Sequence, residues 1–403
     1  MGKSSAILWH KMGLGGLLGG IYSLSLAFYV VLLGFLLSRG LPSAAQEISG
    51  FVTQKFFIFF IFGFSANALM GIWYQTETNG IDLSTANLYL MVAQWCIYFI
   101  GVILLSTSMT WGRAWGSALT TCGLLWFVAN QEVLWRHHRT VTVARPFWGS
   151  GATYLVLTAM TVLSLVTSLS GIAHGWLWRV AVSGSLGWVA FSIVGLTYQA
   201  WTKIIRPGAT APRGSLAKTG MHVGLWGGFL IGKSWAPWAL NVALVGGALF
   251  GAAFLADSHR FWGAYKPLPS DVPLVAIKLS FDAYLIGWLA AAIAARGDGT
   301  LRAIAIYWIL NGWISMTLGG LLHSVLPLFI EIPDNGPRLR PMTIWSDMKL
   351  SARIRAVAIF GGGGGLLAGL GLIASNSAIW VTGLSCNILG AVGTAVMIAA
   401  SGF

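Results

Sequence analysis

Charge is what this chain has least of. Asp, Glu, Lys and Arg make up 9% of its 403 residues, and acids number only 11 against 24 Lys and Arg. A soluble globule carries about 25% charged residues, so a chain bathed in water on all sides is excluded. Cysteine is scarce too. Cys96, Cys122 and Cys386 lie far apart within apolar runs, a spacing that offers neither a disulfide framework nor a metal site. They read as small buried hydrophobes. Four signatures are missing: a glycine loop ending in Lys-Ser/Thr, an HExxH pair, a CxxC pair and a serine elbow. With them go the common routes to phosphate binding, zinc hydrolysis, dithiol chemistry and acyl transfer. Ten-residue stretches of dyad alternation, the mark of a membrane β-barrel, are absent as well.

Hydrophobic residues dominate, at 56%, and mean hydropathy is +0.76. Apolar runs of about 20 residues, each able to cross roughly 30 Å of hydrocarbon, recur from end to end. Backbone groups in lipid must pair within their own segment, which helices of this length achieve. The expected fold is therefore an all-α polytopic membrane bundle, a single integral domain over 1–403 with 12 spans. The spans fall at about 13–38, 52–75, 87–110, 114–134, 148–170, 178–200, 220–235, 237–256, 272–295, 302–328, 355–374 and 378–400. The seventh is the weakest, being short and interrupted by Lys233 and Pro237. The first lacks a small-residue cleavage site after it and reads as a retained helix.

Basic residues set the orientation. With the N-terminus inside, 16 Lys and Arg fall on inner segments and 7 on outer ones, leaving Lys278 within a span. That bias predicts an N-in, C-in topology. Only the loop 76–86, with Glu77 and Asp82 and no basic residue, gives it no support. The net charge of +13 fits this topology and contact with anionic lipid, not nucleic acid. The 52 glycines suit close helix approach. The run Gly361 to Gly365 reads either as a thin helix face against a bulky neighbour or as a groove for a flat ligand or lipid tail. Trp9, Trp111, Trp148, Trp176 and Trp380 sit near span ends, where an amphipathic ring prefers the interface.

Few polar groups stand within the spans. Lys278 and Asp282 lie four apart on one helix face, either as a neutralising intramembrane ion pair or as part of a proton or ion path. A path needs more acids, and Asp257, Asp271 and Glu132 lie only at the inner boundary. Among the histidines, His137 and His138 belong to a basic patch, and His10 and His259 lie at boundaries. His222 and His323 alone are placed to face a bundle interior, both toward the inner side. They read as satisfied core histidines or as a bis-histidine haem pair.

Two spans are alike. Phe56 to Tyr74 and Ala303 to Pro327 each carry glycine, an aromatic, and a second glycine eight positions after the first: Gly63-Phe64 with Gly71, and Gly312-Trp313 with Gly320. Within Phe62 to Tyr74, the pattern Phe-x-Phe-x-x-Asn-Ala-Leu with Tyr five positions later resembles the second helix of haem-copper oxidase subunit I, nearest to the C-family (cbb-type) oxidases and their nitric-oxide-reductase relatives. Gly312-Trp313-Ile314-x-Met316, then Gly320 and Leu326-Pro327, resembles that subunit's tenth helix. The resemblance covers about 40 residues and extends to the rest through span number and order.

That resemblance implies a twelve-helix scaffold with haem ligands on the second and tenth helices. Here the matching positions are Phe56, Ala305 and Tyr307. Phenylalanine and alanine offer iron no lone pair, and Tyr307 would lack an opposite partner. The copper-ligating histidine pair has no counterpart near Trp235 to Trp238. The aromatics Phe56, Phe57, Phe59, Phe60, Tyr307 and Trp308 are expected to fill the volume a haem would take. The expectation is a cofactor-free, non-catalytic subunit that scaffolds or docks cytochrome and membrane partners of a respiratory complex. A haem-binding redox subunit using His222 and His323, and a transporter using Lys278 and Asp282, remain as alternatives.

Overall fold

The structure, a computed structural model, describes residues 3–49, 54–78, 85–107, 109–137, 145–167, 171–201, 215–230, 237–262, 272–294, 299–325 and 348–400. The expected spans each meet a helix among these residues, and no strand occurs among them. The helices are α1 (Lys3–Ser49), α2 (54–78), α3 (Thr85–Ser106), α4 (Thr110–His137), α5 (Arg145–Thr167) and α6 (Gly171–Ala200). They continue as α7 (Ser215–Leu230), α8 (Pro237–Trp262), α9 (Val272–Ala294), α10 (299–325), α11 (348–373) and α12 (Ser377–Ala400). Among the described residues, eight segments are long and apolar enough to cross a membrane, lying in α1, α2, α3, α8, α9, α10, α11 and α12. The chain is thus built as a helical membrane protein. The helices α4 to α7 stand where the fourth to seventh spans were expected, and none of them is among those eight.

Two helices form the interior. The crossing segments of α2 and α10 are 89% and 83% buried, against 22–44% for the other six. These are the two whose sequences read alike. Helix α1 packs on both, breaking at Gly40, whose φ of 69° suits a residue without Cβ. The paired glycines of α2 seat its side chains: a Cβ on Gly63 would lie 2.7 Å from the Phe28 ring, and one on Gly71 2.5 Å from that of Tyr22. Gly312 of α10 receives Ala283 of α9 in the same way, at 2.8 Å.

Neighbouring helices pair as tight hairpins, α3 with α4, α5 with α6, α7 with α8 and α11 with α12. Glycine permits this where backbones nearly touch. A Cβ on Gly116 would lie 2.2 Å from Leu105 N, and one on Gly246 2.1 Å from Gly224 N. In lipid there is little hydrophobic drive between helices, so such close packing supplies the association.

Trp111 is 59% exposed, as an interfacial ring would be. Trp148 and Trp380 depart from that expectation, since both are buried. Trp148 meets Trp73 edge-on at 5.0 Å, and Trp380 tilts over Tyr307 at 5.3 Å. Aromatic partners already inside the bundle outcompete the interface for these two rings.

Candidate functional site

π-Helical stretches lie at Ile58–Ala66 in α2, Trp308–Ser315 in α10 and Ile359–Gly363 in α11. Such turns are rare and less favourable than α-helix, and they concentrate at functional sites. All three meet at one cavity. Its wall includes Phe64 from the first, Asn311 and Ser315 from the second, and Gly361 and Gly362 from the third. Helix α1 adds Tyr29 and α12 adds Asn387 and Thr394. The cavity measures about 50 Å³.

A row of neutral hydrogen bonds borders it. Asn387 Nδ2 donates to Tyr29 Oη at 3.0 Å, and Tyr29 Oη donates to Asn311 Oδ1. Asn311 Nδ2 donates in turn to Tyr307 Oη, which donates to the Gly365 carbonyl at 3.1 Å. The row ties together α1, α10, α11 and α12. The Tyr29 ring also stacks on Phe64 at 4.4 Å, and Ser25 Oγ donates to the Phe64 carbonyl at 2.7 Å. A second row lies further along α10. His323 Nδ1 contacts the Gly319 carbonyl at 2.6 Å, and Nε2 contacts Thr394 Oγ1 at 3.0 Å.

The positions matching haem ligands fall in packed surroundings. Phe56 is buried, its ring parallel to that of Phe60 at 6.3 Å. Phe57 meets Phe62 edge-on at 5.6 Å, and Phe59 tilts against Phe28 at 5.6 Å. Ala305 is buried with only a methyl to offer. Tyr307 keeps its oxygen on Asn311 and Gly365. Trp308 fills the face of α11 at Gly369, where a Cβ would lie 2.8 Å from its ring. These residues do not fit a haem: Phe56 and Ala305 have no lone pair for iron, the Tyr307 oxygen is engaged by Asn311 and Gly365, and the rings occupy the space between helices.

The remaining sites are scattered. His222 accepts or donates at Tyr154 Oη, 2.9 Å away, and packs on Phe191 with ring centroids 4.7 Å apart. His323 sits instead against α12, so the two histidines have separate surroundings. Lys278 and Asp282 both lie on the exposed side of α9, close enough for the lysine charge to act on the carboxyl. Asp257 accepts from Tyr198 Oη at 2.6 Å. Among the described residues, no three His, Cys, Asp or Glu side chains converge as a metal site.

Sequence reasoning did not pick out Tyr29, Asn387 or Thr394. Each is an ordinary residue within an apolar run, and only the tertiary pairing across 282 or 358 positions reveals the row. The spacing of Tyr307, Asn311, Ser315, Gly319 and His323, four apart on α10, was the available signal. No protein-family model matches the chain, and no curated protein matches it.

Proposed function

We propose that this chain is a non-catalytic membrane subunit of the haem-copper oxidase subunit I type, holding partner proteins within a respiratory electron-transfer complex. In this reading it crosses a bacterial inner membrane 12 times with both termini inside. Its partners are cytochrome and other membrane subunits, with lipid around them. The observation that carries the reading is the fate of Phe56, Ala305 and Tyr307. The two helices that resemble the ligand-bearing helices are the most buried crossing segments, yet at those positions they hold a stacked ring, a methyl and a hydrogen-bonded phenol. A scaffold kept while its ligands are replaced by packing suits a role in assembly. An enzyme of this type would need imidazoles there.

The test is purification in mild detergent, with identification of what comes with the chain and a visible spectrum of each component. The expected result is a stoichiometric complex in which haem belongs to the partners. A chain that purifies alone from native membranes under every mild condition contradicts the reading.

A further inference from the structure

We infer that the outward face of α9 is an interface between two copies of this chain, which pair there as parallel helices around Lys278 and Asp282. The inference stands independently of the subunit reading.

The first argument is where the charges stand. The crossing segment of α9 runs from Val275 to Ala294, and within it Lys278 and Asp282 are both exposed. Asp282 lies seven residues from the nearer end, about 10 Å into the hydrocarbon at 1.5 Å per residue. Among the described residues, the other acids in crossing segments are Glu47 and Asp257, and both lie within three residues of an end. Ionisable side chains at such depth turn toward a protein interior or toward water. Asp282 instead turns away from its own bundle. Lysine can carry its ammonium to the headgroups along its long stem; the short stem of aspartate cannot. Charged or neutral, the carboxyl needs hydrogen-bonding partners that lipid chains lack.

The second argument is charge complementarity. The polar groups on the inward side of α9 are satisfied within the chain. Ser280 Oγ pairs with Thr317 Oγ1 at 2.7 Å, Tyr284 Oη donates to the Gly247 carbonyl at 3.0 Å, and Trp288 Nε1 donates to the Leu244 carbonyl at 2.9 Å. The outward side carries one charge of each sign, so the patch is complementary to itself. Under a two-fold axis along the membrane normal, Lys278 of each copy faces Asp282 of the other, and the four charges sum to zero. The axial offset between the two positions is about 6 Å, within a lysine's reach.

The third argument is the spacing. The other exposed residues of the segment are Leu279, Ile286, Leu289 and Ile293. Leu279, Ile286 and Ile293 fall seven apart, and so do Asp282 and Leu289, each three places after a member of the first set. This is a heptad seam. Isoleucine at its first position with leucine at its second favours two parallel strands, and one polar residue in the seam fixes the register. Two copies inserted in a membrane the same way hold α9 parallel, as the seam requires. The crossing segments Asn87–Ser106 of α3 and Ser377–Ala399 of α12 also expose apolar residues, but neither contains a charged residue, so lipid covers them at no such cost.

Disulfide trapping in membranes tests this, on the full chain with Cys96, Cys122 and Cys386 replaced by alanine. Ile286→Cys and Leu289→Cys should each trap a dimer of the chain at least about fivefold more than Ile100→Cys and Val396→Cys, exposed positions on α3 and α12, because a shared seam raises the effective concentration of the two thiols. Adding Lys278→Glu to Ile286→Cys should cut trapping at least about threefold by setting like charges against one another. Exchanging the charges, with Lys278→Asp and Asp282→Lys together, should restore it. Should Lys278→Glu fold poorly, Lys278→Met serves the same purpose. Trapping on α9 no higher than on α3 and α12 overturns the inference, and so does trapping to a different protein or a dimer that the folded Lys278 variant leaves untouched.

Discussion

Replacing Gly383 with alanine should destabilise this protein, although alanine is the better helix former. A Cβ at Gly383 would lie 2.2 Å from Ala368 N and 2.7 Å from Ala368 Cα. Both are backbone atoms of α11, which cannot rotate away as a side chain would. Relief requires α11 and α12 to part by more than about 1 Å, and a gap of that size forfeits roughly a quarter to a half of each dispersion contact along the seam. Overpacking of this kind costs about 1–3 kcal/mol. Helix propensity returns at most about 1 kcal/mol. Gly363 is the matched control. It lies on α11 five residues from Ala368, is exposed, and a Cβ there meets nothing within 4 Å. Gly363→Ala should stabilise by about 0.5–1 kcal/mol. The two substitutions are chemically identical and opposite in sign, so their difference of about 1–3 kcal/mol isolates the contact. Reversible unfolding of both variants in mixed micelles measures it. A Gly383→Ala protein as stable as Gly363→Ala would refute the close approach of the two helices.

Further outcomes follow from the same geometry. Asn311→Leu should cost about 1–3 kcal/mol by taking the acceptor from the Tyr29 hydroxyl and a donor from Tyr307; in a double-mutant cycle with Tyr29→Phe, coupling below about 0.5 kcal/mol would break the row. Lys278→Met and Asp282→Asn, on the exposed side of the membrane-crossing α9, each remove one charge of a pair from a span where a lone charge is costly, and should each shift stability by more than about 0.5 kcal/mol; no shift at either position would place the pair in water. In reconstituted vesicles the same variants should leave proton flux at the level of the native chain, and a selective loss would favour the transporter reading. Reporter fusions at the two termini should both report the inner side, and opposite sides would contradict the charge-based topology.

Much of the fold was legible because lipid makes hydropathy decisive. Helix positions follow the apolar runs closely, and the two stretches that read alike turned out to be the buried ones. Their paired glycines had a meaning that the sequence hid: they seat Phe28, Tyr22 and Ala283 of neighbouring helices. The run Gly361 to Gly365 is not uniform in its packing. Gly364 and Gly365 form the thin face, packed against Asn387 and Asn311, while Gly361 and Gly362 line the cavity. What stayed out of reach was polar pairing. Asparagine and tyrosine carry no spacing code, so the row from Asn387 to Gly365 emerges only when α1 and α12 converge on α10. The burial of Trp148 and Trp380 was hidden for the same reason, since their aromatic partners are distant in the chain.

The visible absorption spectrum of the purified chain, separated from its partners and quantified for haem, bears most directly on its role. Phe56 and Ala305 offer iron no lone pair and the Tyr307 oxygen is held by Asn311 and Gly365, so the chain should be colourless, with well under one haem per polypeptide. A Soret band at one or more haems per chain would mean that iron is held by residues this account assigns to packing, and the scaffold reading would fall.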